Sequence, residues 1–414
     1  MGWLFLSSFI IFIVCLEFIS GSSGSIKLLD NLSSAGNDVT IDDGNNNGRQ
    51  SVKKNTFKNG PKVEPSKDSI DDNKRAGDNT FDAYFDKNSE FLIYAAANNN
   101  MNELKKAIRA GGKVDARDPK GGNTALLFAS YNGHIDIVSE LLNRGANIEI
   151  KSTDGAKTPL LMAVYKNNID IIKLLIEKGA KVDAKNHRGD SALHIAAYMG
   201  YDSLVNLLLE HDAILDRIND QTYTTKHTAL HFASFKGHLD IARTLIQSGG
   251  AFMNLLDHKG NNCLQLATVQ QHFEVMNMFI DEHSDVIRID HQDHEGNSAL
   301  HIAVERTCFE CIHILILKGQ INMELINKKG ETSLITAIRV GNVEMVKALM
   351  LYGVDTTVTT RSHMTCNDYA RSLGYLDIMQ MMMLGSQQAV DEDMVSVLKD
   401  ELSLGDVQEV IVET

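Results

Sequence analysis

The chain has 414 residues, 43% of them apolar and 23% charged, enough to bury an extended core. Its 40 basic residues stand against 54 acidic ones, and a net charge of −14 excludes a general nucleic-acid binder, whose footprint is basic. Five Cys are too few for a disulfide scaffold, and all four Pro precede residue 160, which leaves the rest open to helix.

Residues 3–19, WLFLSSFIIFIVCLEFI, form an apolar run followed by the small residues SGSSGS. A spanning helix takes about 20 apolar residues with flanking cations. This run is shorter, and its first following cation is Lys27. The pattern predicts a signal peptide over 1–21 and a protein that is secreted or held in the secretory pathway. Because the run lacks a positive n-region, a retained membrane anchor over 3–19 is the alternative. Residues 22–88 draw half their composition from Asn, Asp, Gly and Ser, which bury too little apolar surface to offset chain entropy. A disordered linker is predicted there. Within it, Asn31 opens the only N-x-S/T sequon, a glycosylation candidate if the chain is exported.

From residue 89 the chain repeats itself. Starts at Glu90, Thr124, Thr158, Ser191, Thr228, Asn262, Ser298, Thr332 and Thr365 are spaced 33 to 37 residues apart. Leu stands two past each of the first eight starts, and Ala five past all nine. Thirteen past the start the column is apolar from Ile137 onward. Such columns specify two short amphipathic helices per unit, the first kept thin by Ala. Gly145, Gly179, Gly249, Gly319 and Gly353 fit a left-handed stop after the second helix.

The segments TALHFASFKGHLDIARTLI (228–246), TPLLMAVYKNNIDIIKLLIEKGA (158–180) and SALHIAAYMG (191–200) resemble the ankyrin repeat, whose hallmark is T-P-L-H-x-A. The resemblance covers residues 89–385 as nine units. It implies an all-α repeat solenoid of helix-turn-helix units with β-hairpin fingers, binding a protein or peptide rather than acting as an enzyme. A monomer without cofactor is expected, with no nucleic-acid partner and a membrane only if 3–19 is retained. The extra residues around NDQTYTTK and HSDVIRID then map to lengthened fingers. His194, His231 and His301, fourth in T-P-L-H, are expected to bond backbone groups and fix the turn.

The resemblance also implies that the seventh residue past each start, and the next one, line a ligand-contacting groove. Here these are Tyr131, Tyr165, Tyr198 and Phe235, with Lys166 and Lys236 beside them. The seventh position lies five after the core Leu, about 140° around a helix, so it leaves the core stripe. Arg188 and Lys259 at finger tips would add cationic rims suited to an acidic or aromatic peptide. Two readings of the aromatics stand: interface anchors, or rings that cover a neighbouring helix.

Catalytic motifs are missing: no Gly-rich phosphate loop, nucleophile elbow or H-E-x-x-H. Cys308-x-x-Cys311 is a redox or metal half-site by spacing, yet Cys311 falls in the core column, which favours packing. His291 and His294 with Asp290 and Asp293 look like a metal cluster, yet Asp293 and Gly296 occupy the family's turn. A metal- or redox-dependent protein built on these residues is the competing function. The last 29 residues, 386–414, hold eight acids and one base, an acidic tail able to mask a basic groove.

Overall fold

The computed structural model describes residues 86–119 and 121–385. The expected signal peptide, Asn31, the acidic tail and residues 22–85 of the expected linker lie outside the described residues; residues 86–88, assigned to the linker, instead open the first helix, where Asp86 accepts the Ser89 N–H. Among the described residues the helices come as nine pairs. The first helices are α1 Lys87–Ala97, α3 Ala125–Asn132, α5 Pro159–Tyr165, α7 Ala192–Met199 and, after an inserted α9 Asp212–Leu215, α10 Ala229–Lys236. They continue as α12 Cys263–Val269, α14 Ala299–Glu305, α16 Ser333–Val340 and α18 Cys366–Ser372. Their partners are α2 Met101–Arg109, α4 Ile135–Asn143, α6 Ile169–Glu177, α8 Asp202–Leu209, α11 Leu239–Gln247 and α13 Phe273–His283. The last three partners are α15 Phe309–His313, which runs on as a π-helical turn Ile314–Lys318, then α17 Val343–Leu351 and α19 Leu376–Gly385.

Each first helix starts where a short polar side chain satisfies a backbone donor. Thr124, Thr158, Thr228, Asn262, Ser298, Thr332 and Thr365 each accept the N–H three residues on, worth about 1 kcal/mol apiece. Pro159 sits at the first helical position, where its missing N–H costs nothing.

The repeat columns form the core. The nine Ala at position five are all 0% exposed, and the eight Leu at position two are 2% or less. Ile137, Ile171, Leu204, Ile241, Val275, Cys311, Met345 and Ile378, in the second helices, are equally buried. First helices stack on first helices and second on second, so one apolar cluster runs from Leu92 to Met382. Ala in the first helix lets these neighbours approach closely, and the branched residues of the second fill the gap behind.

Four expectations need correction. The fingers are turns rather than β-hairpins: among the described residues only an isolated bridge, Thr359 with Thr365, has β pairing. Successive tips are instead joined by single backbone rungs, Tyr223 N–H to Arg188 O, His258 to Thr225, His294 to Lys259 and Lys328 to Glu295, at 2.8–3.0 Å. One rung per tip is too short a contact to build a ladder.

The insertions do not lengthen the tips either. The tip at 222–227 closes with the same Thr222-to-His227 bond that joins Ser152 to Lys157, and Asp293 closes on Asn297 as Asp257 does on Asn261. The first insertion folds as α9, whose Ile214 is buried, and the second is largely taken up by the longer α13. Ile214 and Ile287, both buried, gain more there than in a solvated loop.

Of the five glycines expected as left-handed stops, Gly145, Gly179 and Gly353 take positive φ. Gly249 and Gly319 do not; the turn falls one residue later, on Gly250 and Gln320. At Gly319 a Cβ would lie 2.7 Å from the Leu315 carbonyl, so close approach explains the glycine there.

Cys308 and Cys311 are buried as expected, but they do more than pack, because the two sulfurs are bonded to each other. In other units the residue at the Cys308 position reaches back to the preceding first helix. His134 contacts Ala97 O, Asn168 Ser130 O, and His272 Phe235 O, at 2.9–3.1 Å. Cys308 instead accepts the Cys311 N–H.

The final pair is the thinnest. In α18 only Cys366 and Ala370 are buried, and Leu376 in α19 is 63% exposed. Stability of stacked units is close to a sum of unit and interface terms, so a thin end opens by itself. Hydrogen exchange should find amides of 366–385 the least protected of any helix pair; protection matching that of α5–α8 would contradict this.

Candidate functional site

The C-terminal turn of each first helix carries the residues singled out by the repeat. Tyr131, Tyr165, Tyr198 and Phe235 are all half-buried, and Lys166 and Lys236 beside them are exposed. Tyr131 packs on Leu127, Ile150 and Met162, a small satellite of the main core.

The lysines are not loose rims. Lys166 Nζ lies 4.7 Å from the centre of the Tyr131 ring of the preceding unit. Lys236 Nζ lies 4.4 Å from the Tyr198 ring and 5.8 Å from the Phe235 ring. Each such cation–π contact contributes about 0.5–1 kcal/mol at an exposed site. The result is a stair in which a lysine of one unit steps onto the aromatic ring of the unit before. Lys157, one residue before the start of the unit that holds Tyr165, lies 5.9 Å from that ring, a contact outside the stair's register. Tyr131 and Tyr198 thus pack on the following unit, as the covering reading has it, and each carries a lysine over its ring.

Tyr165 differs from the others. Its hydroxyl accepts a hydrogen bond from Asn186 Nδ2 at 3.2 Å, and Asn186 also organises the finger tip by accepting the N–H of Arg188 and Asp190. Burial, helped by the nearby Asp190 carboxylate, pushes the phenol up to about 12, so it stays a neutral hydrogen-bonding group. Tyr165 thus ties the helix face to the finger row.

Arg188 and Lys259 both occupy exposed finger tips, as expected. Arg188 Nε lies 3.8 Å from Asp190 Oδ2, and its carbonyl receives the Tyr223 N–H. Lys259 donates its backbone N–H to Asp257 Oδ1, and its carbonyl receives the His294 N–H. The two tips are linked through the rung series rather than side by side.

The fourth-place histidines behave as the resemblance implies. His231 Nδ1 accepts the Thr228 N–H at 3.1 Å and Nε2 reaches Leu255 O at 3.0 Å. His194 and His301 repeat the pattern toward Asp220 O and Glu331 O. All three rings are buried, and desolvation holds each below the ordinary imidazole range.

The turn reading of His291 and His294, rather than the alternative metal cluster, is the one the contacts support. His291 Nε2 is 2.7 Å from Gly260 O, and Asp293 Oδ1 accepts the N–H of Glu295 and Asn297. Those groups are spent on the turn. Cys263 and Cys366 are buried thiols, and burial pushes both up, Cys366 to about 11, which removes them as nucleophiles.

Column reading missed two aromatics. Phe232 packs edge-on against Tyr198 at 5.5 Å and His227 at 5.0 Å, joining the ladder to the finger. Tyr223, 65% exposed, stands with Lys185 6.0 Å from its ring centre on the tip next to Arg188. A signal for Phe232 was present at the residue after T-A-L-H, whereas Tyr223 lies on a finger tip, outside the helix columns.

Among the described residues no helix is long and apolar enough to cross a membrane. A family model for ankyrin repeats matches in overlapping windows from residue 75 to residue 360. The chain is 31% identical over 182 residues to mouse nuclear factor NF-kappa-B p105 subunit, covering 42% of this chain and 18% of the relative. It is 27% identical over 175 residues to the chicken p105 subunit, covering 41% and 18%. A rice protein described as a probable E3 ubiquitin-protein ligase, XBOS33, is 36% identical over 85 residues, 20% of this chain and 16% of the relative. The chain thus spans under a fifth of the length of each of these relatives. With those windows covering more than half of its length and the repeat columns buried as one continuous core, the chain belongs to the ankyrin repeat family.

Proposed function

We propose that this chain is a non-enzymatic scaffold that binds a protein or peptide along the aromatic–lysine stair. The nine helix pairs are read as nine ankyrin units, with the first and last acting as caps. The observation that carries the reading is the register: four successive first helices place an aromatic at the same position, two of them topped by a lysine of the following unit. Rigid aromatics with a desolvated body and an exposed edge are the usual anchors of protein interfaces. The lysines and Arg188 favour a partner segment bearing carboxylates or aromatics. The solenoid is read as a monomer that works in the secretory pathway or outside the cell, on the strength of the apolar run at 3–19.

The test is affinity capture with the full chain, compared with a variant carrying Tyr131→Ala, Tyr198→Ala and Phe235→Ala. Tyr165 is spared because its hydroxyl holds the finger at Asn186. A captured partner should bind the variant at least about a hundredfold more weakly, as loss of clustered hot spots implies. Undiminished affinity in a variant with unchanged circular dichroism would overturn the proposed face. N-terminal sequencing of the exported protein decides between cleavage near residue 21 and a retained anchor.

A further inference from the structure

His227, Asp257 and His258 stand together where the finger tips at 222–227 and 257–261 meet. Each offers one ligand atom, and these atoms all lie within 4.8 Å of one another. His227 and Asp257 are buried, while His258 is exposed. Two imidazoles and one carboxylate are a ligand set that suits zinc and its neighbours among the transition metals.

His227 is unlike the turn histidines. His194, His231 and His301 bond through both ring nitrogens. In His227, Nδ1 is buried without a hydrogen-bond partner, and Nε2 lies 3.6 Å from Asp257 Oδ2. That distance exceeds a good hydrogen bond. It is close to the separation of about 3.4 Å between two ligands of one tetrahedral zinc, given bonds of about 2.0–2.2 Å.

The other two ligands are oriented in advance. Asp257 Oδ1 is occupied by the N–H groups of Lys259 and Asn261, both at 2.8 Å, which leaves Oδ2 turned to His227. Asn261 Nδ2 steadies Oδ2 from 3.2 Å. His258 Nδ1 lies 3.2 Å from Thr225 O, so the ring donates there and keeps the Nε2 lone pair available. A ligating histidine that donates its other N–H to a carbonyl is the usual supporting arrangement around protein-bound metals.

We propose that His227, Asp257 and His258 bind one divalent transition-metal ion of the zinc class, leaving one tetrahedral position for water. The site clamps the tip at 222–227 to the tip at 257–261, which already share the His258-to-Thr225 rung. Its place is next to Lys259 and, through Phe232, beside the Tyr198 step of the stair.

The experiment uses untagged full chain stripped of metal with a chelator and titrated calorimetrically with Zn2+. Co2+ serves as the absorbing probe of a tetrahedral site. One equivalent should bind, and His258→Ala should weaken it at least tenfold without altering circular dichroism, since His258 is exposed. Asp257→Asn, which keeps the turn's acceptor Oδ1, should also weaken it at least tenfold. Absence of saturable Zn2+ binding would overturn the proposal. So would unchanged affinity in His258→Ala, which would place the ion elsewhere, or equal competition by Ca2+, which prefers oxygen ligands.

Discussion

Replacing Phe279 by Ala should cost about 3–5 kcal/mol, the range for a large aromatic removed from a packed interior. Phe279 is 0% exposed and is one of the largest fully buried side chains among the described residues. It stands where other units place Leu141, Leu175, Leu208 or Leu245. Its helix, α13, packs against α12, α11 and the π-helical turn after α15, so the cavity opens between three neighbours. In a nearest-neighbour solenoid the loss falls on the interfaces of one central unit, and unfolding should split there rather than shift as a whole. Urea unfolding followed by hydrogen exchange in α11–α15 reads both effects. Phe252→Ala, at a residue 63% exposed, should stay within about 0.5 kcal/mol and serves as the control. A Phe279→Ala loss below about 1 kcal/mol would mean the core relaxes around the site.

Acidification should destabilise the fold through its turn histidines, with His231 contributing about 2 kcal/mol by pH 5. Desolvation, aided by His227, lowers the His231 ring from the ordinary 6.5 to about 4. Geometry gives the same answer: Nδ1 must accept the Thr228 N–H, and a proton there removes the acceptor. Because the folded value lies below the unfolded one, this contribution is complete above about pH 6.5. It is lost as pH falls toward 4, where the unfolded chain takes up protons that the folded one refuses. His194 and His301 shift in the same direction for the same cause, burial, so the acid loss is larger than one ring supplies.

The sixth unit provides a natural control. There Gln265 replaces the histidine, accepts the Asn262 N–H at 3.0 Å and donates to His291 O and Asn297 O. His231→Gln should therefore keep the cap while flattening the pH dependence of the urea midpoint between pH 7 and pH 5. Equal slopes in wild type and variant would contradict the assignment.

Much of the fold was legible because its packing is local in sequence. Leu at position two and Ala at position five recur in every central unit, and each buries against the same columns of the units beside it. The repeat columns thus located the core and the roles of His194, His231 and His301. It failed where one unit departs from its neighbours. The π-helical turn at 314–318 adds a residue to a second helix, so Gly319 lost its expected turn to Gln320. The insertions were assigned to fingers because a repeat has nowhere else to put them, yet Ile214 had a core to join.

The candidate site divides along the same line. The sequence alone determined which side chains leave the core stripe, since helical period decides that within one unit: Tyr131, Tyr165, Tyr198 and Phe235 were found this way. Only the tertiary structure decided what each one meets. Lys166 lies over Tyr131 across 35 positions and Lys236 over Tyr198 across 38, while His227 faces Asp257 across 30. Those meetings depend on the rise and rotation from one unit to the next. The rise and rotation are set by how the Ala-thinned helices and the single-rung fingers stack, a sum of many small contacts that no one unit encodes.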